Sequence, residues 1–255
     1  MRLHTHTWGS PDGPPVVCVH GVTAHGQRFR RLARERLADC EVHAVDLRGH
    51  GHSGWEPPWT LETHVADLVE TAAALGLERA SWIGFSFGGR LVADLAIRDP
   101  WLVDRLILLD PALHLPADYA LAAAEDEQHV QTFLTRDDAV EARIAEGGLI
   151  STPRSFLEEE MRDHLTQTID GRFVKRYSRP AAIAAWGEMS RPPAPPADLP
   201  TLMVTGSDSQ VPTAEHIERY GRALGDNFAH LEVPAGHNVL WDAFERTADA
   251  IEGFR

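Results

Sequence analysis

Ala80-Ser81-Trp82-Ile83-Gly84-Phe85-Ser86-Phe87-Gly88-Gly89-Arg90-Leu91-Val92 is the stretch that decides the fold. An apolar run ends at Trp82-Ile83, a serine stands at the centre of Gly-x-Ser-x-Gly, and apolar residues at helical spacing follow through Leu95-Ala96. That order predicts a strand, a sharp turn and a helix, with Ser86 at the apex. Such a turn brings strand and helix backbones together, so the positions two before and two after the serine must be small. Gly84 and Gly88 meet that demand, and Gly89 eases the helix packing.

Working outward, short apolar runs recur with helical segments between them. Leu3-His4-Thr5-His6-Thr7-Trp8 alternates like a surface strand, while Val16-Val17-Cys18-Val19, Val42-His43-Ala44-Val45 and Leu106-Ile107-Leu108-Leu109 read as buried strands. Leu202-Met203-Val204-Thr205 and Leu231-Glu232-Val233 resume the pattern later in the chain. Strands alternating with helices predict an α/β fold, a doubly wound and mostly parallel sheet. The rhythm breaks after Pro111: residues 112–190 are acidic and helix-favouring without a convincing strand, and Arg191-Pro192-Pro193-Ala194-Pro195-Pro196 predicts a stiff connector. The expected organisation is a core of residues 1–111 and 191–255 carrying a helical cap of residues 112–190.

The chain has 255 residues and a formal net charge of −14, enough length for one large core and too acidic for a nucleic-acid partner. Neither a secretory apolar segment nor a membrane-spanning run is legible, so a cytoplasmic protein without a membrane partner is expected; oligomeric state is not encoded legibly. Cys18 and Cys40 read as reduced, buried thiols.

A serine hydroxyl becomes a nucleophile when an imidazole takes its proton, and the imidazole needs an orienting carboxylate. Pro234-Ala235-Gly236-His237-Asn238 follows the last strand, and Thr205-Gly206-Ser207-Asp208 follows the one before it, so Ser86, Asp208 and His237 are the expected catalytic set. Asp110, just after Leu106-Ile107-Leu108-Leu109, is the rival acid. A developing oxyanion needs two backbone donors, expected from Phe87 N–H after the serine and Val22 N–H in His20-Gly21-Val22. His20, His25, His50 and His52 lack the H-E-x-x-H or cysteine partners of a zinc site, so no metal or other cofactor is expected. His20 is expected to organise its loop by hydrogen bonds, and Arg48 to pair with Asp46. Phe85, Trp241 and Trp186 are the candidate substrate-binding aromatics, although aromatics at such spacings also serve as core packing.

Together these stretches resemble an α/β-hydrolase fold serine hydrolase. His20-Gly21 is similar to the family's oxyanion loop, Asp46-Leu47-Arg48-Gly49-His50-Gly51-His52-Ser53 to its D-x-R-G-x-G-x-S loop, Gly84 to Gly88 to its nucleophile elbow, and Gly236-His237 to its histidine loop. One residue separates Gly206 from Asp208 where the family more often has two. The resemblance implies a carboxylesterase-like enzyme cleaving an ester, thioester or lactone of a small, largely apolar molecule through an acyl-enzyme, with the insertion in the place of the variable cap. Two alternatives stay open. Carbon–carbon bond hydrolases of ring-cleavage pathways also use serine, but usually carry Asn and Trp where Phe85 and Asn238 stand here; Trp241 does match a second tryptophan of such enzymes. A non-catalytic ligand-binding protein on the same fold is the other.

Overall fold

The computed structural model describes residues 1–193 and 195–255; Ala194, inside the predicted connector, lies outside the described residues. In chain order the core begins β1 (Thr5–Gly9), β2 (Pro15–Val19), α1 (Arg30–Glu35), β3 (Glu41–Val45), α2 (Leu61–Ala74), β4 (Ala80–Phe85), α3 (Phe87–Arg98) and β5 (Val103–Leu109). The segment 112–190 supplies α4 (Ala117–Asp126), α5 (Arg136–Ala145), α6 (Arg154–His164), β6 (Leu165–Gln167), β7 (Phe173–Lys175) and α7 (Arg179–Met189). The chain then returns to the core with β8 (Thr201–Gly206), α8 (Ala214–Leu224), β9 (Phe228–Val233), α9 (Val239–Asp242) and α10 (Phe244–Phe254).

Seven strands form one sheet in the order β1-β3-β2-β4-β5-β8-β9. β1 is antiparallel to β3 and all the other pairs are parallel. Side chains alternate across this sheet, so each buried strand feeds two cores. Val17, Val19, Trp82, Leu106 and Met203 pack with Leu68 of α2 and Leu91 and Leu95 of α3. On the other face Val16, Cys18, Ile83, Ile107 and Val204 pack with Leu32 of α1 and Ile251 of α10. Burial on both faces is why these strands read as unbroken apolar runs. Cys18 and Cys40 are free and buried.

The strand order reverses between β2 and β4, since β3 lies on the outer side of β2. Crossover connections diverge at such a point and leave a crevice at the strands' carboxyl ends. Val19 pairs with Gly84 there, so the loop opening at His20 and the turn at Ser86 leave the sheet side by side.

Residues 112–190 are mainly helical, as expected, but they also contain a strand pair: Leu165 faces Lys175 and Gln167 faces Phe173 across an antiparallel hairpin. Its strands have three residues each, too short for a period-2 pattern to register against helical neighbours. The hairpin leads into the core, where Gly51 N–H donates to the Arg176 carbonyl (2.9 Å) and Ser178 N–H to the Gly49 carbonyl (2.6 Å).

One buried side chain has a measurable cost. His64 of α2 is 1% exposed, its ring lies edge-on to Phe87 at 5.5 Å, and among the described residues neither ring nitrogen has a hydrogen-bond partner. Burial pushes its pKa down to about 3 and that of His50 down to about 4. Both stay neutral in the folded protein while the unfolded chain takes up protons below the ordinary histidine value of about 6.5. Stability is therefore expected to fall with decreasing pH from about 6.5 to 4, with a slope of about 1.4 kcal/mol per pH unit for each histidine. His64→Leu should remove one of these contributions and raise stability at pH 7 by about 1–3 kcal/mol, since it deletes unpaired polar atoms. Urea unfolding of both proteins at pH 5 and pH 7 checks this; equal pH slopes would contradict it.

Candidate active site

Ser86 occupies the turn between β4 and α3 with φ 54° and ψ −119°, a conformation that costs a non-glycine residue about 1–3 kcal/mol. Its neighbours enforce the turn. A Cβ on Gly84 would lie 2.5 Å from the Gly88 carbonyl oxygen, and one on Gly88 would lie 2.1 Å from the Val19 carbonyl oxygen. The serine backbone is pinned from three sides: its N–H donates to the Leu109 carbonyl (3.1 Å), and its carbonyl accepts from Arg90 N–H (3.2 Å) and Ala112 N–H (3.0 Å).

His237, in the loop after β9, brings its Nε2 to 2.9 Å from Ser86 Oγ and its Nδ1 to 2.6 Å from Asp110 Oδ2. The carboxylate that meets the imidazole is thus Asp110, and the expectation of Asp208 is corrected. Asp110 follows β5 with φ 42° and is fully buried. Its Oδ1 accepts from Gly206 N–H (3.0 Å), and its Oδ2 also accepts from Ser209 Oγ (2.5 Å). Asp208 is exposed; among the described residues its carboxylate reaches only Ser207 Oγ, at 3.4 Å, while its N–H is spent on the Ala235 carbonyl (3.0 Å). The loop after β8 therefore turns Ser209 and the Gly206 amide toward Asp110 and points Asp208 outward.

The loop after β2 lies against the serine: a Cβ on Gly21 would come within 2.9 Å of Ser86 Cβ. Two buried histidines shape it. His20 Nε2 accepts from Leu47 N–H (2.9 Å), which leaves the proton on Nδ1 to be donated to the Gly21 carbonyl (2.7 Å). His50 Nε2 accepts from Thr23 N–H (3.2 Å) while its Nδ1 donates to the Arg48 carbonyl (3.1 Å). Burial first, and then the neighbouring His50, holds His20 well below the ordinary histidine range, so it serves as a neutral strut. Among the described residues, neither Val22 N–H nor Phe87 N–H is taken by an acceptor.

The expected Arg48–Asp46 pair is not formed. Arg48 turns to α2 and grips both oxygens of Asp67 (2.7 and 2.8 Å), a fork that suits the planar guanidinium. Asp46 instead accepts from Gly26 N–H (2.7 Å), His52 N–H (2.9 Å) and His6 Nε2 (3.2 Å). Burial opposes its charge, but the His6, His52 and Gly26 donors outweigh burial and hold its carboxyl well below the usual range.

Ser86 and His237 open onto a cavity of about 380 Å³ whose lining includes all three candidate aromatics, Phe85, Trp241 and Trp186, together with Val22. A second lobe shares Ser86, His237, Tyr119 and Trp186 with the first and is lined by Ala112, Leu115, Ile150, Val211 and Asp208. The first lobe is more polar than the sequence suggested, because Arg28, Arg143, Lys175, Glu146 and Glu160 also line it. Sequence reading does not reach these residues because they are scattered from the short 3-10 turn Gly26–Phe29 after β2 to the hairpin and follow no motif. His4, His6 and Asp46, rather than the four histidines singled out above, bring possible ligand atoms within 4.8 Å of one another.

Residues 14–244 match the profile of the alpha/beta hydrolase fold family. The chain belongs to this family. Lipase LipV of Mycobacterium tuberculosis is 33% identical over 246 residues, covering 94% of this chain and 92% of the lipase. Esterase YbfF of Escherichia coli is 27% identical over 238 residues, covering 89% and 87%. Among solved structures, an E-2-(acetamidomethylene)succinate hydrolase superposes with a TM-score of 0.89 at 21% identity, over 99% of this chain and 94% of that one, a likeness of fold. As a member of the α/β-hydrolase family with relatives named lipase and esterase, the protein is a serine hydrolase. No helix among the described residues is long and apolar enough to cross a membrane.

Proposed function

We propose that the protein cleaves a carboxylic ester, thioester or lactone through an acyl-enzyme formed on Ser86. The observation that carries this reading is the unbroken hydrogen-bonded chain Ser86 Oγ, His237, Asp110, opening onto a cavity. His237 Nε2 takes the hydroxyl proton as Oγ attacks the carbonyl carbon, and returns it to the leaving oxygen or sulfur. Asp110 keeps the other imidazole proton on Nδ1, which leaves Nε2 free to accept. Val22 and Phe87 N–H groups face the developing oxyanion without reorganising, because the strained turn and the His20 and His50 struts already hold them. Water then enters by the same proton relay and releases the acid. Residues 112–190 act as the cap, contributing Trp186 and most of the cavity's charged groups.

A fluorophosphonate is expected to label Ser86, and a panel of acyl esters, lactones and a vinylogous diketone is expected to show turnover of esters. Turnover of the diketone alone would move the reading to carbon–carbon bond cleavage; an unlabelled serine and no turnover would move it to a ligand-binding role. The relay uses only side chains and backbone amides, so dialysis against EDTA is expected to leave the hydrolysis rate within error of the untreated protein. A loss restored by zinc would contradict the mechanism.

A further inference from the structure

The charged lobe of the cavity holds three cations, Arg28, Arg143 and Lys175, against two carboxylates, Glu146 and Glu160. Glu160 is already spent: its Oε1 accepts from Arg28 at 2.6 Å and its Oε2 meets His25 Nε2 at 3.1 Å. Burial alone would raise its pKa, but Arg28 and then His25 outweigh that and hold it well below the usual range. Arg28 is likewise committed, with its guanidinium 4.3 Å above the Trp241 ring.

That leaves Glu146 alone to face both Arg143 and Lys175, and it lies 3.8 Å from each, beyond hydrogen-bond distance. Arg143 spends one N–H on the Gly147 carbonyl (2.9 Å), and among the described residues its other donors have no acceptor. Burial works against the charge on Arg143 and lowers its pKa, a cost that Glu146, Glu160 and Asp242 offset only in part. Lys175 is the only lysine in a chain of net charge −14, and its side chain is 20% exposed in this wall. A separate observation points the same way. His164, also in the cavity wall, is 2% exposed, and among the described residues neither of its ring nitrogens has a hydrogen-bond partner. A neutral imidazole offers one donor and one acceptor there, both unused.

We propose that Arg143 and Lys175, with His164, form an anion subsite, and that the substrate is an ester carrying a free carboxylate some bonds away from the scissile carbonyl. This rests on the reading of Ser86 as nucleophile. The carboxylate supplies the counter-charge that Glu146 alone does not, while the spacer lies along the Phe85 and Trp241 rings. For a half-ester, the acyl carbon bonds to Ser86 Oγ and the ester C–O bond breaks, with the serine proton passing through His237 to the leaving alcohol. Water then attacks the acyl-enzyme, and its oxygen stays with the acid. The net products are a dicarboxylate, an alcohol and one proton.

The test compares monoethyl esters of the straight-chain dicarboxylic acids from succinic to suberic with ethyl esters of monocarboxylic acids of equal length. A second arm uses acyloxy acids, which place the carboxylate on the alcohol side. At least one anionic ester is expected to exceed its neutral counterpart in kcat/KM by about tenfold, the scale of one good charge-assisted contact. Lys175→Gln and Arg143→Gln should each lower that anionic-to-neutral ratio by about tenfold, chiefly through KM, and Lys175→Arg should retain it. Fluorophosphonate labelling of Ser86 reports that each variant is folded and keeps the two readings separate. Labelled protein that prefers neutral esters in both arms, or keeps an anionic preference in both glutamine variants, overturns the subsite. Unlabelled parent protein without ester turnover overturns the nucleophile instead.

Discussion

Ser86→Ala is expected to lower ester turnover by about a millionfold and to abolish fluorophosphonate labelling, the scale seen when a triad nucleophile is removed. The structure also predicts that this loss is almost purely chemical. The backbone of residue 86 is held by Leu109, Arg90 and Ala112, and none of these bonds involves the hydroxyl. Among the described residues Oγ itself hydrogen-bonds only to His237, whose side chain is 38% exposed and can turn to solvent. Alanine has the same Cβ as serine, so the turn at φ 54° is no more strained than before. Thermal unfolding should therefore stay within a few degrees of the parent. An alanine variant that hydrolyses p-nitrophenyl acetate within tenfold of the parent would remove Ser86 from the mechanism, and one that fails to fold would show that the hydroxyl has a structural role the geometry does not reveal.

The sheet was legible because its strands are buried on both faces. A strand such as Val16-Val17-Cys18-Val19 must be apolar at every position, and a run of that kind bounded by turn residues has few other readings. The elbow was legible for a different reason: Gly84 and Gly88 are required by contacts made within a few residues of the serine and with the adjacent strand end. Where the deciding contact joins residues far apart in the chain, local pattern is silent. Arg28 meets Glu160 and Lys175 faces Glu146 across helices and a hairpin, so the charge of the cavity could not be read. The same holds for Arg48, whose partner Asp67 sits on α2 while Asp46, two residues away in the chain, is surrounded by other donors. The hairpin strands β6 and β7, of three residues each, are below the length at which periodicity carries information.

The acid shows the limit most clearly. Asp110 and Asp208 both follow buried strands, and β5 and β8 are neighbours, so both reach the same edge of the sheet. Both residues also belong to a type that favours turns. What separates them is the path of the loop after β8, which is decided by the Asp208 N–H bond to Ala235 and the Ser209 hydroxyl bond to Asp110. The one trace in the sequence is the spacing, a single residue between Gly206 and Asp208, which marks an unusual loop without saying where it goes.

Asp110→Asn is accordingly expected to cost about 10⁴ in kcat, and Asp208→Asn less than about twofold. Asparagine is nearly isosteric, and its carbonyl oxygen can still accept from Gly206 N–H in place of Oδ1. Its amide nitrogen then replaces Oδ2, the atom that accepts from both His237 Nδ1 and Ser209 Oγ. A donor facing Nδ1 favours the tautomer with the proton on Nε2, and an imidazole protonated there cannot take the Ser86 proton. The defect should lie in kcat rather than KM, because substrate contacts are untouched. Asp208 offers no such lever: it is exposed, its one side-chain contact is a 3.4 Å approach to Ser207, and its outward position leaves His237 unaffected. Rates of the two variants measured side by side separate the assignments, since a severe Asp208 defect beside a mild Asp110 defect would require the loop after β8 to rearrange and return the acid to the later strand.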